Sequence, residues 1–251
     1  LAADVTAEAV VLRRIDSGET DRRLTLLTRE FGKLDVVAKG ARKPGSRLAG
    51  SSEPLVHAVF TWAEGRSRRF VTQVQPLTSF PRIRSEYERT LAALALAELA
   101  MVSLPYESPS PYESDSLDIY EIYLASLAAL ETTEDWTAAL VWGEARLMQA
   151  EGVHPEWTTC VVSGSDLAEN PAWVSPRAGG LVAEQLALKH EDRFLVTAET
   201  LIALKKVADL SIAPAHVNGS HECLRVLFAF WRHALDSRLP ANETLIQGLP
   251  A

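Results

Sequence analysis

The chain has 251 residues, 47% of them apolar, with 33 acidic against 25 basic side chains and a formal net charge of −8. That length supports one large domain or two modest ones around a sizeable core. The longest apolar run, around Leu91–Leu104, is too short to span a bilayer and is interrupted by Glu98, and two cysteines do not suggest a disulfide framework.

The first 80 residues read as five short strands: Glu8–Arg14, Leu24–Thr28, Leu34–Lys39, Leu55–Trp62 and Phe70–Gln75. Turn signals separate them at Asp16-Ser17-Gly18, Phe31-Gly32-Lys33, Lys43-Pro44-Gly45 and Glu64-Gly65. The fourth is apolar on both faces, as a small closed barrel requires. This pattern predicts a five-stranded OB-fold barrel over residues 1–80, although strand count alone does not separate it from an SH3-like barrel.

After Pro81 the texture becomes helical. Ser85 and Glu88 have capping-box spacing and open an apolar run from Tyr87 to Leu104. Beyond a break at Pro105–Pro111, helices are expected at Leu117–Leu130, Asp135–Glu151, Ala198–Asp209 and Glu222–Asp236. An irregular Pro-, Gly- and Ser-rich region interrupts them. The fold class is α+β: an N-terminal OB-fold barrel, then a mostly α-helical domain over residues 81–251.

Charge is distributed unevenly along this plan. Residues 1–80 hold 13 basic and 9 acidic side chains, and the remainder holds 12 and 24. Ten of the cations fall between Val10 and Gly50. A local excess of cations in an acidic protein points to a polyanion, most commonly nucleic acid. Arg13, Arg22, Lys33, Lys39, Arg42, Lys43 and Arg47 are the candidate phosphate ligands, with Arg66 and Arg68 as a second cluster. Phe31, Phe60, Trp62 and Phe70 could stack bases, but small barrels need bulky fillers and that is the better account of them.

Signatures of catalysis are missing. Leu27 stands where a Walker motif ending at Lys33 needs Gly, His221-Glu222 has no second His four residues on, and no G-x-S-x-G elbow occurs. The pair Asp115 and Asp118 sits in a generally acidic stretch and reads as a solvated face. The expectation is a non-enzymatic protein without cofactor.

Four motifs, E-A-V-V-L-R-R (8–14), G-E-T-D-R (18–22), L-T-L-L-T-R-E-F-G-K-L (24–34) and A-K-G-A-R-K-P-x-S-R-L (38–48), resemble the RecO family of bacterial recombinational repair mediators. The resemblance implies binding of single- and double-stranded DNA, annealing of complementary strands, and help in loading recombinase onto DNA coated by single-strand DNA-binding protein. It implies as partners RecR, RecF and the acidic C-terminal tail of single-strand DNA-binding protein, with Lys205, Arg225 and Arg232 as candidate residues for that tail. It also implies a zinc ribbon, which this chain carries in degenerate form over residues 152–187. Cys160 remains, whereas Ser163, Ala183 and Leu186 stand at the other three ligand positions. Four ligands are needed for a structural zinc site, so no metal is expected, Cys160 reads as an ordinary buried thiol, and packing through Trp157, Trp173 and Val174 must replace the ion.

The N-terminus, LAADVTAEAV, lacks the basic and apolar regions of a signal peptide, and its start on Leu suggests trimming. No membrane partner is expected, and the localisation is expected to be cytoplasmic and nucleoid-associated. Two rival readings are a protein-interaction adaptor whose basic loop docks an acidic partner and an OB-fold RNA-binding factor.

Overall fold

The computed structural model describes residues 4–107, 119–167 and 172–250. The chain divides into two compact units, Leu1–Leu127 and Ala128–Ala251. Of the sequence expectations, Asp115 and Asp118, the start of the helix at Leu117 and residues 108–111 of the Pro/Ser break lie outside the described residues.

The first unit is built from β1 (Asp4–Ser17), β2 (Asp21–Thr28), β3 (Gly32–Ala38), a single turn α1 (Leu48–Ser51), β4 (His57–Glu64) and β5 (Arg69–Thr78). It continues with α2 (Pro81–Ser85), α3 (Tyr87–Ser103) and the start of α4 (Ile119–Thr132). The strands close into a barrel in the order β1-β2-β3-β5-β4, antiparallel except for one parallel pair, Val37 with Phe70, that joins β3 to β5. This is an OB-fold-like topology. Period-two alternation sends Ala7, Ala9, Val11, Leu24, Leu26, Leu34, Val36, Ala58, Phe60 and Trp62 into one core. Phe60 and Trp62 are therefore barrel fillers, and Phe31 packs edge-on against Trp62 from the rim, 5.7 Å between centroids.

β1 is longer than the sequence suggests because it serves two neighbours. Residues 4–10 pair with β4, and residues 9–17 pair with β2. The ladder with β2 slips between Val11 and Arg13, so Leu12 is a bulge. Leu55 and Val56 fill the gap beside it: the Leu55 N–H donates to the Val11 carbonyl and the Val11 N–H to the Val56 carbonyl. Leu55 holds a left-handed φ of 65°, which no strand can continue, so β4 starts at His57 and not at Leu55.

The capping box expected at Ser85 and Glu88 does not form. Ser85 ends α2, its hydroxyl donating to the Arg82 carbonyl, and Glu86 occupies the N-cap of α3 without a side-chain bond. Glu86 instead pairs with Arg82 and with the buried Arg89. α3 packs on β1, and the entry to α4 is fixed by Tyr120, whose hydroxyl donates to Glu8 at 3.0 Å beside His57.

The second unit holds the end of α4 and then α5 (Trp136–Ala150), β6 (Ala172–Ser175), β7 (Gly180–Val182), α6 (Glu184–Ala187), β8 (Phe194–Val196), α7 (Ala198–Val207), α8 (Ser220–Leu235) and α9 (Pro240–Gly248). Asp135 caps α5 by accepting from the Thr137 and Ala138 amides, and Thr197 caps α7. The region expected to be irregular, Gly152–Gly180, contributes β6 to a three-stranded sheet ordered β7-β6-β8, of which β7 begins at its last residue and β8 lies beyond it. Trp157 is buried and meets Phe230 of α8 edge-on at 5.3 Å, and Val174 is buried. Cys160 is a free, buried thiol, as expected. Burial alone would raise its pKa, but hydrogen bonds from the Ser163 hydroxyl and from the amides of Ala183, Ser163 and Val162 outweigh it and bring it down to about 7. The Ala183 N–H lies 3.2 Å from its sulfur. Among the described residues no cluster of three His, Cys, Asp or Glu side chains could hold a metal ion, and no helix is long and apolar enough to cross a membrane.

Glu144 lies inside this unit, 2% exposed, and burial pushes its pKa up to about 8. Because the folded value lies above the ordinary 4.5, its contribution is fully present below 4.5 and is lost as pH rises through about 8. Denaturant titrations of wild type and Glu144→Gln should therefore show a fall in stability from pH 4.5 to 8 that the variant flattens.

Candidate nucleic-acid interface

Two loops at the same end of the barrel are fastened together by hydrogen bonds. Asp21, at the start of β2, accepts the Gly40 N–H at 2.8 Å, and the Thr20 carbonyl accepts the Arg42 N–H at 2.9 Å. The Arg42 guanidinium donates to the Gly18 carbonyl and pairs with Asp16 at 3.3 Å. Gly40 has a φ of 65°, where an L side chain is strained, and that turn aims its amide at Asp21. The Gly40 amide bond is the main reason that the Asp21 carboxyl titrates below its ordinary value. The effect is to hold the loop 39–47, with its cations, against the β1–β2 turn.

The bulge at Leu12 changes which way Arg13 points. Without it, Arg13 would share the parity of Ala7, Ala9 and Val11 and enter the core. After the slip it stands opposite Thr25, on the outer face, and is exposed. The next outward row is Ile15, Arg23 and Val37, linked across β1, β2 and β3 by the same registers.

This outer wall forms the floor of a cleft of about 720 Å³ whose other side is the β4–β5 turn. Arg23, Arg66, Arg68 and Arg69 line it, together with Asp16, Asp35, Glu64 and Glu107, and Ile15, Val37 and Tyr106 supply apolar surface. Arg69 is held by Glu64 at 2.9 Å and Glu107 at 2.8 Å, and Arg23 lies 3.8 Å from Asp35. The turn depends on Gly65, whose N–H donates to the Arg68 carbonyl at 2.9 Å and where a Cβ would sit 2.6 Å from that oxygen.

The candidate cations now separate by environment. Arg13, Lys43, Arg47, Arg66 and Arg68 are exposed and make no ion pair among the described residues. Lys39 is exposed, its ammonium 4.0 Å from the centre of the Phe70 ring. Arg42 is exposed but shares its charge with Asp16.

Two of the nine belong to the framework. Arg22 is 13% exposed in its side chain and is used up by the Ala49 carbonyl, Ser52 and Glu53. Lys33 is 3% exposed, its ammonium donating to the Met101 carbonyl and lying over the Tyr106 ring, so it cannot reach a phosphate. Neither burial was legible, because nothing in the sequence places Met101 or Ser52 beside a barrel strand. Arg23, Ile15 and Tyr106 were missed. The first two depend on the register beyond the bulge, and Tyr106 stood in a stretch read only as a break.

In the second unit, Arg225 donates to the Leu249 and Pro250 carbonyls and serves to hold the chain beyond α9. This corrects its expected pairing with Arg232 as a docking site. Arg232 is exposed over Phe228 and lines a separate cleft of about 630 Å³ with Phe194, His233 and Arg238, and Lys205 is partly exposed in the last turn of α7. Leu224, Leu227 and Trp231 of the same helix are core.

Two family models, described as Recombination protein O N terminal and Recombination protein O C terminal, match residues 3–80 and 84–243. The chain belongs to the RecO family. Among curated RecO relatives, a DNA repair protein RecO of Heliobacterium modesticaldum is 34% identical over 208 residues, 81% of this chain and 73% of that protein. One from Roseiflexus sp. (strain RS-1) is 34% identical over 91% of this chain and 80% of its own length, and one from Anaeromyxobacter sp. (strain K) is 30% identical over 96% and 95%. Two of the four motifs that carried the RecO resemblance, G-E-T-D-R and A-K-G-A-R-K-P-x-S-R-L, are the segments fastened to each other by Asp21, Thr20 and Gly18.

The fastening has a pH signature. Asp21 titrates below 3.8, so its grip on the loop is complete at neutral pH and is lost as pH falls through that lowered value. Amide hydrogen exchange should show the Gly40 N–H protected relative to its intrinsic rate at neutral pH and released only as the pH falls through that lowered value, below the ordinary 3.8. Asp21→Asn should show reduced protection throughout.

Proposed function

We propose that, within its family's role in DNA repair and recombination, this protein binds single- and double-stranded DNA on the outer face of its barrel, anneals complementary strands, and helps load recombinase onto DNA coated by single-strand DNA-binding protein. The observation that carries the reading is the set of five exposed cations on the barrel and its loops, Arg13, Lys43, Arg47, Arg66 and Arg68, that make no ion pair among the described residues. Neutralised phosphates on two strands no longer repel each other, which is what annealing requires. The protein acts here by binding and not by turnover.

The proposed partners beyond DNA are RecR, RecF and the acidic tail of single-strand DNA-binding protein, with Arg232 and Lys205 supporting a site for the tail. The proposed location is the cytoplasm, at the nucleoid. The segment around Cys160 is read as a zinc ribbon that has lost its metal, supported by the Ala183 amide still directed at the remaining sulfur.

Fluorescence anisotropy of labelled oligonucleotides over a salt series tests the reading. Affinity should fall steeply with salt and show little sequence preference. Replacing Lys43, Arg47, Arg66 and Arg68 with Ala should weaken all sequences about equally and flatten the salt slope by about 0.7 for each single-strand phosphate left without its cation. Absence of binding by the wild type at low salt would leave the protein-adaptor reading in its place.

A further inference from the structure

The cleft on the barrel face is not itself a phosphate site. Its four arginines are matched by four carboxylates, Asp16, Asp35, Glu64 and Glu107, and Arg69 is shared between two of them. A phosphate placed on that floor would meet as much repulsion as attraction. The unpaired cations Arg66 and Arg68 sit on the β4–β5 turn at the border of the cleft. A backbone would follow that border, and something uncharged, flat and able to hydrogen-bond carboxylates would enter.

Tyr106 fits that occupant. It is 48% exposed and lines the cleft, a high exposure for a large aromatic side chain. Its position is fixed. The backbone pairs with Lys33 as a short parallel extension of β3, and the next amide, of Glu107, donates to the Lys33 carbonyl at 2.8 Å. The Lys33 ammonium lies 4.6 Å from the ring centre and is itself held by the Met101 carbonyl, so a buried cation supports the ring. Ile15, 38% exposed, and Val37 add apolar surface to the same cleft. A rigid exposed ring beside apolar surface, bordered by free cations, presents what a single strand offers and a duplex withholds: the face of a base.

We infer that Tyr106 stacks against an unpaired base in this cleft and makes the barrel face selective for single strands over duplex. The inference rests on the nucleic-acid reading above. Glu107 and Asp35 are placed to accept hydrogen bonds from amino groups of the base, and Arg66 and Arg68 take the flanking phosphates.

The test compares wild type, Tyr106→Ala, Tyr106→Phe and Arg66→Ala/Arg68→Ala on a single strand, the same strand with several abasic sites, and the duplex. Stacking predicts that Tyr106→Ala weakens the single strand about fivefold or more, keeps the salt slope, and leaves duplex affinity within about twofold. Tyr106→Phe should bind like wild type. Abasic sites should weaken wild type by a similar factor and leave Tyr106→Ala unaffected. Equal affinity of wild type for abasic and intact strands overturns the inference without any variant. So does an equal loss on single strand and duplex in Tyr106→Ala. If Arg66→Ala/Arg68→Ala loses binding while Tyr106→Ala does not, stacking fails and the nucleic-acid reading stands. If wild type binds neither form at low salt, both fail.

Discussion

The basic face of this barrel depends on one carboxylate. Asp21 takes the Gly40 amide, and with the Thr20 and Gly18 carbonyls it holds a loop of like charges against the β1–β2 turn. Lys39, Arg42, Lys43 and Arg47 repel one another and would spread in solution without such an anchor. Asp16 reduces that repulsion by pairing with Arg42, and the Phe70 ring gives the Lys39 ammonium a separate cation–π attraction. Two acidic residues in the same part of the chain, Asp16 and Asp21, are what give the basic stretch a defined geometry.

The second constraint is the extra residue in β1. It lets one strand serve two neighbours in a small closed wall, and it moves Arg13 and Ile15 to the outside in the same step. Leu55 accepts a left-handed backbone to fill the place beside the bulge. The local strain at Leu55 and the outward aim of Arg13 are thus parts of one device.

How much of this could be read from the sequence follows from how local each determinant is. Alternation and turn residues located all five strands, and composition separated barrel from helices, because both signals lie within a few residues. Asp135 lies at the end of a helix as its type suggests. The failures are non-local. Lys33 looked free because its acceptor, the Met101 carbonyl, is far along the chain, and Arg22 looked free because Ala49 and Ser52 are. The three-residue strands β7 and β8 were invisible because so short a stretch shows no period. Ser85 and Glu88 had capping spacing, but Glu86 was already committed to two arginines. Of the candidate site, the basic stretch was legible, but not which of its cations are exposed, and the cleft was not legible.

The seams of the barrel are unequal, and that decides where its wall can yield. Four of the five are antiparallel ladders of seven or more residue pairs or their equivalent around the bulge, whereas β3 and β5 meet through one parallel pair, Val37 with Phe70. The cleft has Val37 in its floor and the turn leading to Phe70 as its wall, so it straddles that seam. Backbone bonds resist displacement in proportion to how many must break together, and here few oppose a change in the separation of floor and wall. A cleft laid across that seam can change its width with fewer backbone bonds broken than one lying within any of the four ladders.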